Sequence, residues 1–157
     1  MEFTFRRATA GDALLLAQMR LEMRRERETA ECALSETEFL QCNIEFFLKH
    51  IASGDFISFL AFGGNTAAAC SGMSLQVHPP TYTNPSGKSG YVTNMFTRPE
   101  WRHRGLALML VDRLVDAART AGCAALYLNA SAMGRPLYEK YGFRTVENEM
   151  VFDLSHK

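Results

Sequence analysis

The chain has 157 residues, 47% apolar and 22% charged, with Lys plus Arg and Asp plus Glu equal at 17 each. That length and composition fit one domain over residues 1–157 that needs neither disulfide nor metal to hold its core, and the balanced charge argues against a general attraction for nucleic acid. No apolar run reaches the roughly 18 residues of a membrane span, no signal pattern opens the chain, and the four cysteines form no C-x-x-C pair, so a reduced, cytoplasmic protein is expected.

Phe3 and Phe5 alternate with polar residues in a short first strand ending near Arg7. Thr9 and Asp12 then form a T-x-x-D capping box ahead of a helix running to about Glu31. Its later part, RLEMRRERE, reads as a solvated charged face. A second box, Ser35 with Glu38, opens a helix that places Phe39, Phe46 and Phe47 near one face and stops at Gly54. The period then changes to that of strands. DFISFLAF and TAAACSGMSLQV, joined by Gly63, Gly64 and Asn65, predict a β-hairpin, and PPTYTNPSGKSG at 79–90 predicts a loop.

GYVTNMFT predicts a fourth strand leading into RPEWRHRGLALML, a loop that becomes a helix. Along that helix Ala107, Leu110, Val111, Leu114, Ala118 and Ala121 share a face, and Gly122 ends it. CAALYLNA is an apolar run of strand length, MGRPLYEKYG a short helix closed by Gly142, and FRTVENEMVFDL a last strand. The order β-α-α-β-β-β-α-β-α-β mixes hairpins with crossovers, which gives an α+β class with a mixed sheet.

One join breaks a rule. No Ser, Thr, Asp or Asn precedes Gly105 to cap the helix, and the stretch carries Arg98, Arg102, His103 and Arg104 where the helix dipole favours anions. A tight loop with small residues and free N–H groups suits phosphate, so the missing anion belongs to a ligand. It is not a familiar nucleotide loop: Gly87-Lys88-Ser89 has Tyr82 where G-x-x-x-x-G-K-S needs its first glycine, and G-x-G-x-x-G is absent. His50, His78, His103 and His156 are scattered, so no metal site is expected.

Arg102-x-x-Gly105-x-Ala107, following a strand and a proline, resembles the R/Q-x-x-G-x-G/A loop of the GNAT acetyltransferase superfamily. GRPLYEKYGF, about thirty residues on, is similar to that family's penultimate helix and its closing Tyr-x-x-x-Gly-Phe. The resemblance covers the whole chain in element order. It implies a mixed, mostly antiparallel sheet of six to seven strands flanked by about four helices, acetyl-CoA as the cofactor, and transfer of an acetyl group to a primary amine, small-molecule or peptide, by direct attack. A non-catalytic acyl-CoA-sensing module of the same fold is the alternative, and a homodimer would be unsurprising.

Carried over residue by residue, the resemblance implies that Met95, Phe96 and Thr97 lie along the pantetheine, with the Met95 N–H at the thioester carbonyl. The diphosphate would take Arg102, His103, Arg104, Gly105, Leu106 and Ala107, with Asn129 and Ser131 beside the cofactor. Tyr138 would be the general acid, since a phenol stays protonated at neutral pH and can serve a leaving thiolate. Asn94 cannot titrate and at best orients water or substrate. The substrate region would comprise Glu28, Glu31, Tyr82, Asn84 and Asn94, with acids attracting an ammonium group. GYVTNMFT offers no carboxylate or histidine as general base, so proton removal through water is expected.

Overall fold

The computed structural model describes residues 2–27 and 34–154. In chain order the elements are β1 (Phe3–Arg7), α1 (Ala13–Arg27), α2 (Glu36–Ser53), β2 (Phe56–Gly63), β3 (Thr66–Val77), β4 (Lys88–Thr97), α3 (Leu106–Thr120), β5 (Ala125–Leu128) and α4 (Arg135–Tyr141). Single 3₁₀ turns at Ala10–Asp12 and Pro99–Trp101 lead into α1 and the loop before α3. The strands form one sheet in the order β1-β2-β3-β4-β5, antiparallel except for the parallel β4–β5 pair.

Local chemistry places these elements. The Asp12 carboxylate accepts from the Thr9 N–H at 2.8 Å and is held by Arg6 at 2.7 Å, fixing the entry to α1. At the start of α2, Ser35 and Glu38 exchange side-chain and backbone hydrogen bonds as a capping box. The turn at Gly64-Asn65 joins β2 to β3 as a hairpin. Both faces of that hairpin are covered, which is why its sequence is nearly continuous in apolar residues instead of alternating. On one face α1 and α2 bury Leu16, Met19, Met23 and Phe47 against Phe56, Leu60, Cys70 and Phe96. On the other, α3 sets Leu106 and Leu110 on Ala61, Ala68 and Ala69, and Leu114 and Ala118 on Ile57, Met73 and Val92. Alanines at the sheet surface let this helix approach closely.

The sheet has five strands among the described residues, not six or seven. The expected last strand, 143–154, forms no ladder, and Met150, Val151, Phe152 and Leu154 are exposed. Its pattern explains this: Glu147, Asn148 and Glu149 run together, then Met150, Val151 and Phe152, so period-two alternation is lost. The remaining partner, β5, is four residues long and half exposed. The first helix is described to Arg27, and its expected extension toward Glu31 lies outside the described residues. Of the cysteines, Cys70 is buried, Cys123 partly buried and Cys42 exposed, all three as free thiols. No helix among the described residues is long and apolar enough to cross a membrane.

Candidate active site

The site begins with an irregularity in β4. Opposite β3, Cys70 pairs with Phe96 and Gly72 with Thr93, so the single residue Ser71 faces both Asn94 and Met95. This is a β-bulge, and Asn94 takes the left-handed conformation at φ +54°. Asparagine tolerates that region better than other non-glycine residues. Gly72 leaves room beside the bulge, because a side chain there would collide with the Phe56 ring and the Asn94 Cβ. On the other edge, pairing of β4 with β5 runs from Ser89 to Val92 and then stops. From Thr93 onward the two parallel strands part, and neither neighbour gives Met95 a partner in register.

The opening between β4 and β5 leads to the N-terminus of α3. His103 at φ +61° and Gly105 at φ +77° turn the backbone through two left-handed residues just before the helix. Gly105 caps without a side chain, no acid sits in the first turn, and a Cβ at Gly105 would meet nothing within 4 Å. Successive N–H groups in such a turn, added to the helix dipole, form an anion-binding concavity. A cavity of about 770 Å³ joins this turn to the strand opening, lined by Asn94, Met95, Phe96, Thr97, Arg102, His103, Gly105, Leu106, Ala107, Asn129, Ser131 and Tyr138. Eleven of the expected cofactor positions thus meet in one cleft, together with Asn94.

The arginines of the loop have more structural parts than expected. Arg102 donates to the Thr97 carbonyl at 3.0 Å and pairs with Glu26 of α1, tying the loop to that helix. Arg98 holds Glu22, one turn earlier, at 2.7 Å and also the Ala67 carbonyl. Arg104 does not line the cleft: its guanidinium stacks over Trp101 at 5.4 Å. Ser131 lines the cleft while its hydroxyl accepts from the Gly134 N–H at 3.1 Å, helping to start α4.

Tyr138 is held by the residues that close its helix. The Phe143 N–H bonds to the Tyr138 carbonyl at 2.9 Å, and the two rings meet edge to face at 5.7 Å. Burial raises the Tyr138 phenol above its ordinary range, opposed by the positive charge of Arg27. Tyr141 instead points to α3, its hydroxyl donating to Asp112 at 2.8 Å. Beneath the bulge, Cys70 donates its thiol to the Asn94 carbonyl at 3.3 Å, and burial pushes it up to about 12. It is therefore no thiolate at neutral pH.

The expected substrate residues fare differently. Glu28 and Glu31 lie outside the described residues. Tyr82 is fully exposed at 107% and does not line the cleft, and Asn84 is engaged within its own loop, donating to the Lys88 carbonyl and accepting from Ser86. Asn84 borders a second cavity of about 840 Å³ beside β5, which adjoins the first at Tyr91 and Tyr138. Helix α1 also supplies Arg20, Met23, Arg24 and Arg27 to the cleft wall. Their spacing was visible in RLEMRRERE, but a charged helical run carries no mark of which side faces a cavity.

Comparison with known proteins agrees with this geometry. The model of the acetyltransferase (GNAT) family matches residues 17–143. The crystal structure of a predicted acetyltransferase with acetyl-CoA from Clostridium acetobutylicum superimposes with a TM-score of 0.88 at 30% identity, covering 98% of this chain and 97% of that one. A GCN5-related N-acetyltransferase from Ralstonia eutropha JMP134 gives 0.84 at 26% identity, covering 98% and 99%. Among curated proteins, a glucosamine 6-phosphate N-acetyltransferase of Trypanosoma brucei brucei is 33% identical over 75 residues, 48% of this chain and 51% of that protein. The match thus spans about half the length of that relative, and 34% of a probable glucosamine 6-phosphate N-acetyltransferase 2 of Oryza sativa subsp. japonica, 40% identical over 57 residues. With a family match from the first helix through Phe143 and a strand opening that ends on an uncapped helix, the chain belongs to the GNAT acetyltransferase family.

Proposed function

We propose that the chain is an acetyl-CoA-dependent N-acetyltransferase that moves an acetyl group from the CoA sulfur to a primary amine by direct attack. The observation that carries this reading is the parting of β4 from β5 after Val92, which opens onto the uncapped start of α3. Those residues fit CoA: an extended arm needs an unpaired strand edge, and a diphosphate needs a set of N–H donors with room for its oxygens. Met95, Phe96, Thr97, Asn129 and Ser131 would border the arm, and the backbone from Arg102 through Ala107 the diphosphate. When bound, CoA supplies the activated acetyl group.

The chain's own residues do the rest. The Met95 N–H, which has no register partner, donates to the acetyl carbonyl oxygen as charge builds there. Tyr138 keeps its proton through neutral pH because burial disfavours the phenolate, and passes it to the departing sulfur as the C–N bond forms and the C–S bond breaks. Asn94 orients water, its buried Oδ1 having no hydrogen-bond partner among the described residues. The amine proton leaves through that water, since no Asp or Glu lines the cleft among the described residues. Cys70 does not carry the acetyl group, being a buried neutral thiol under the strand.

Calorimetric titration with acetyl-CoA, and with ATP as control, tests the cofactor. Binding of acetyl-CoA alone is expected, followed by release of free CoA thiol with members of a panel of alkylamines, amino acids and amino sugars. Equal binding of ATP would overturn the reading, and acetyl-CoA binding without thiol release on any amine would leave a sensing module instead.

A further inference from the structure

Cys70 lies directly against the irregularity of β4. It is fully buried on β3, its pair across the sheet is Phe96, and the bulge begins beside that pair. Its sulfur meets Asn94 twice: the thiol donates to the Asn94 carbonyl at 3.3 Å, and the Asn94 side-chain Nδ2 donates back to Sγ at 3.7 Å. Asn94 sits at φ +54° and, like Met95, has no register partner on β3 or β5. The sulfur therefore supplies order that the ladder gives up at the bulge. The platform under it is itself fixed, since the next residue, Ser71, has its carbonyl held by the buried Ser58 hydroxyl at 2.5 Å.

The consequence runs through one peptide unit. The Asn94 carbonyl and the Met95 N–H belong to the same planar trans amide, so they point in opposite directions and rotate together. Cys70 holds the carbonyl from the β3 side, which turns the N–H away from β3, toward the side where β4 has parted from β5. From this coupling we propose that Cys70 is a positioning residue for acetyl transfer: its S–H, acting through the Asn94 carbonyl, aims the Met95 N–H at the thioester oxygen. Burial keeps the thiol protonated far above neutral pH, so it stays a donor. Aim matters here, because a hydrogen bond weakens steeply once its angle closes to about 120°.

The proposal rests on the acetyltransferase reading, and its test fails separately from that reading. Acetyl-CoA isotopically labelled at the acetyl carbonyl carbon reports donation to its oxygen as a downfield displacement of the bound carbon resonance from the free one, with no acceptor amine needed. The displacement is measured in the parent, Cys70→Ser, Cys70→Val and Cys70→Ala, beside acetyl-CoA affinity, Tm and, with any amine that turns over, kcat for thiol release. Serine keeps an O–H donor and gives up apolar packing, valine keeps apolar bulk without a donor, and alanine has neither. The parent and Cys70→Ser should show the displacement. Cys70→Val and Cys70→Ala should lose most of it and fall about tenfold in kcat, with acetyl-CoA affinity within about twofold of the parent. A role confined to packing predicts the opposite ranking, valine above serine, with activity following Tm. That ranking, an undisplaced carbonyl in the parent, or a displacement kept by both donor-free variants would each overturn the proposal while leaving acetyl transfer in place wherever thiol is released. Absence of acetyl-CoA binding by the parent would overturn both.

Discussion

At the start of α2 the Ser35 hydroxyl accepts from the Glu38 N–H at 3.3 Å and the Glu38 carboxylate accepts from the Ser35 N–H at 2.8 Å, whereas α3 starts at Gly105 with no side-chain cap and no acid in its first turn. Both helices face the same physical demand, four N–H groups without intrahelical partners. In α2 the chain answers it locally, at an exposed end. In α3 the demand is left standing beside a strand opening and a cavity, with two left-handed residues shaping the backbone around it. We read the unmet requirement beside a concave surface as the mark of the proposed phosphate site, and the met one as ordinary structure.

The contrast breaks most sharply at Gly105. In Gly105→Glu a carboxylate would stand where the phosphate donors converge, and like-charge juxtaposition costs several kcal/mol, so acetyl-CoA affinity should fall by at least about 100-fold. The Cβ itself meets nothing within 4 Å, so the stability loss is confined to the strain of φ +77°, roughly 1–3 kcal/mol. Calorimetry and thermal melting separate the two effects, and normal acetyl-CoA binding by this variant would refute the loop assignment. Tyr138→Phe touches the other end of the cleft. It should lower kcat on the order of 100-fold with acetyl-CoA affinity almost unchanged, because a proton donor used only in the transition state is lost. The sign of the phenol shift sets the expected profile: on the proposed mechanism Tyr138 acts in its protonated form, and burial raises its pKa, so activity should hold through the ordinary phenol range and fall only above it. A decline setting in well below pH 10 would assign the acid elsewhere. Ser35→Ala is the counterpart at the closed helix start. Loss of that cap should cost about 1 kcal/mol, roughly 2–4 °C in Tm, and leave acetyl-CoA binding unchanged.

Much of this was legible in sequence because it is local. The Ser35-Glu38 box, the glycine turn of the hairpin, the uncapped Gly105 and the Tyr138–Phe143 closure each depend on residues a few positions apart, and the structure builds all four. Three features were hidden because they depend on what stands opposite. The bulge at Asn94 is one asparagine in an otherwise regular strand, and only the flanking pairs, Phe96 with Cys70 and Thr93 with Gly72, reveal the extra residue. RLEMRRERE divides among a loop, a neighbouring helix and the cleft wall, while its periodicity reports a single charged helix. The segment 143–154 has strand-forming residues without sustained alternation, and a ladder needs a partner edge as well as propensity.

A third helix entry, at α1, refines the comparison by adding charge. Asp12 accepts from the Thr9 N–H and hydroxyl and is bound by Arg6 through two bonds of 2.8 and 2.7 Å, which together hold its carboxyl down to about 2. A depressed carboxyl pKa means that the unfolded chain binds the proton more tightly than the folded one. The stabilisation is therefore complete above about pH 5, and it is lost as the pH falls from the unfolded value near 4 toward 2. Taken alone, the shift would correspond to more than 2 kcal/mol, but the Arg6 side chain is 47% exposed and solvent screens the pair, so about 1 kcal/mol is expected. Asp12→Asn should accordingly lower stability at pH 7 by about that amount, with the gap from the parent narrowing to about a third by pH 2.5 in chemical denaturation. Because the capping oxygen of asparagine remains, a gap that persisted unchanged at pH 2.5 would show that shape rather than charge holds this entry, making it the same kind of closure as α2.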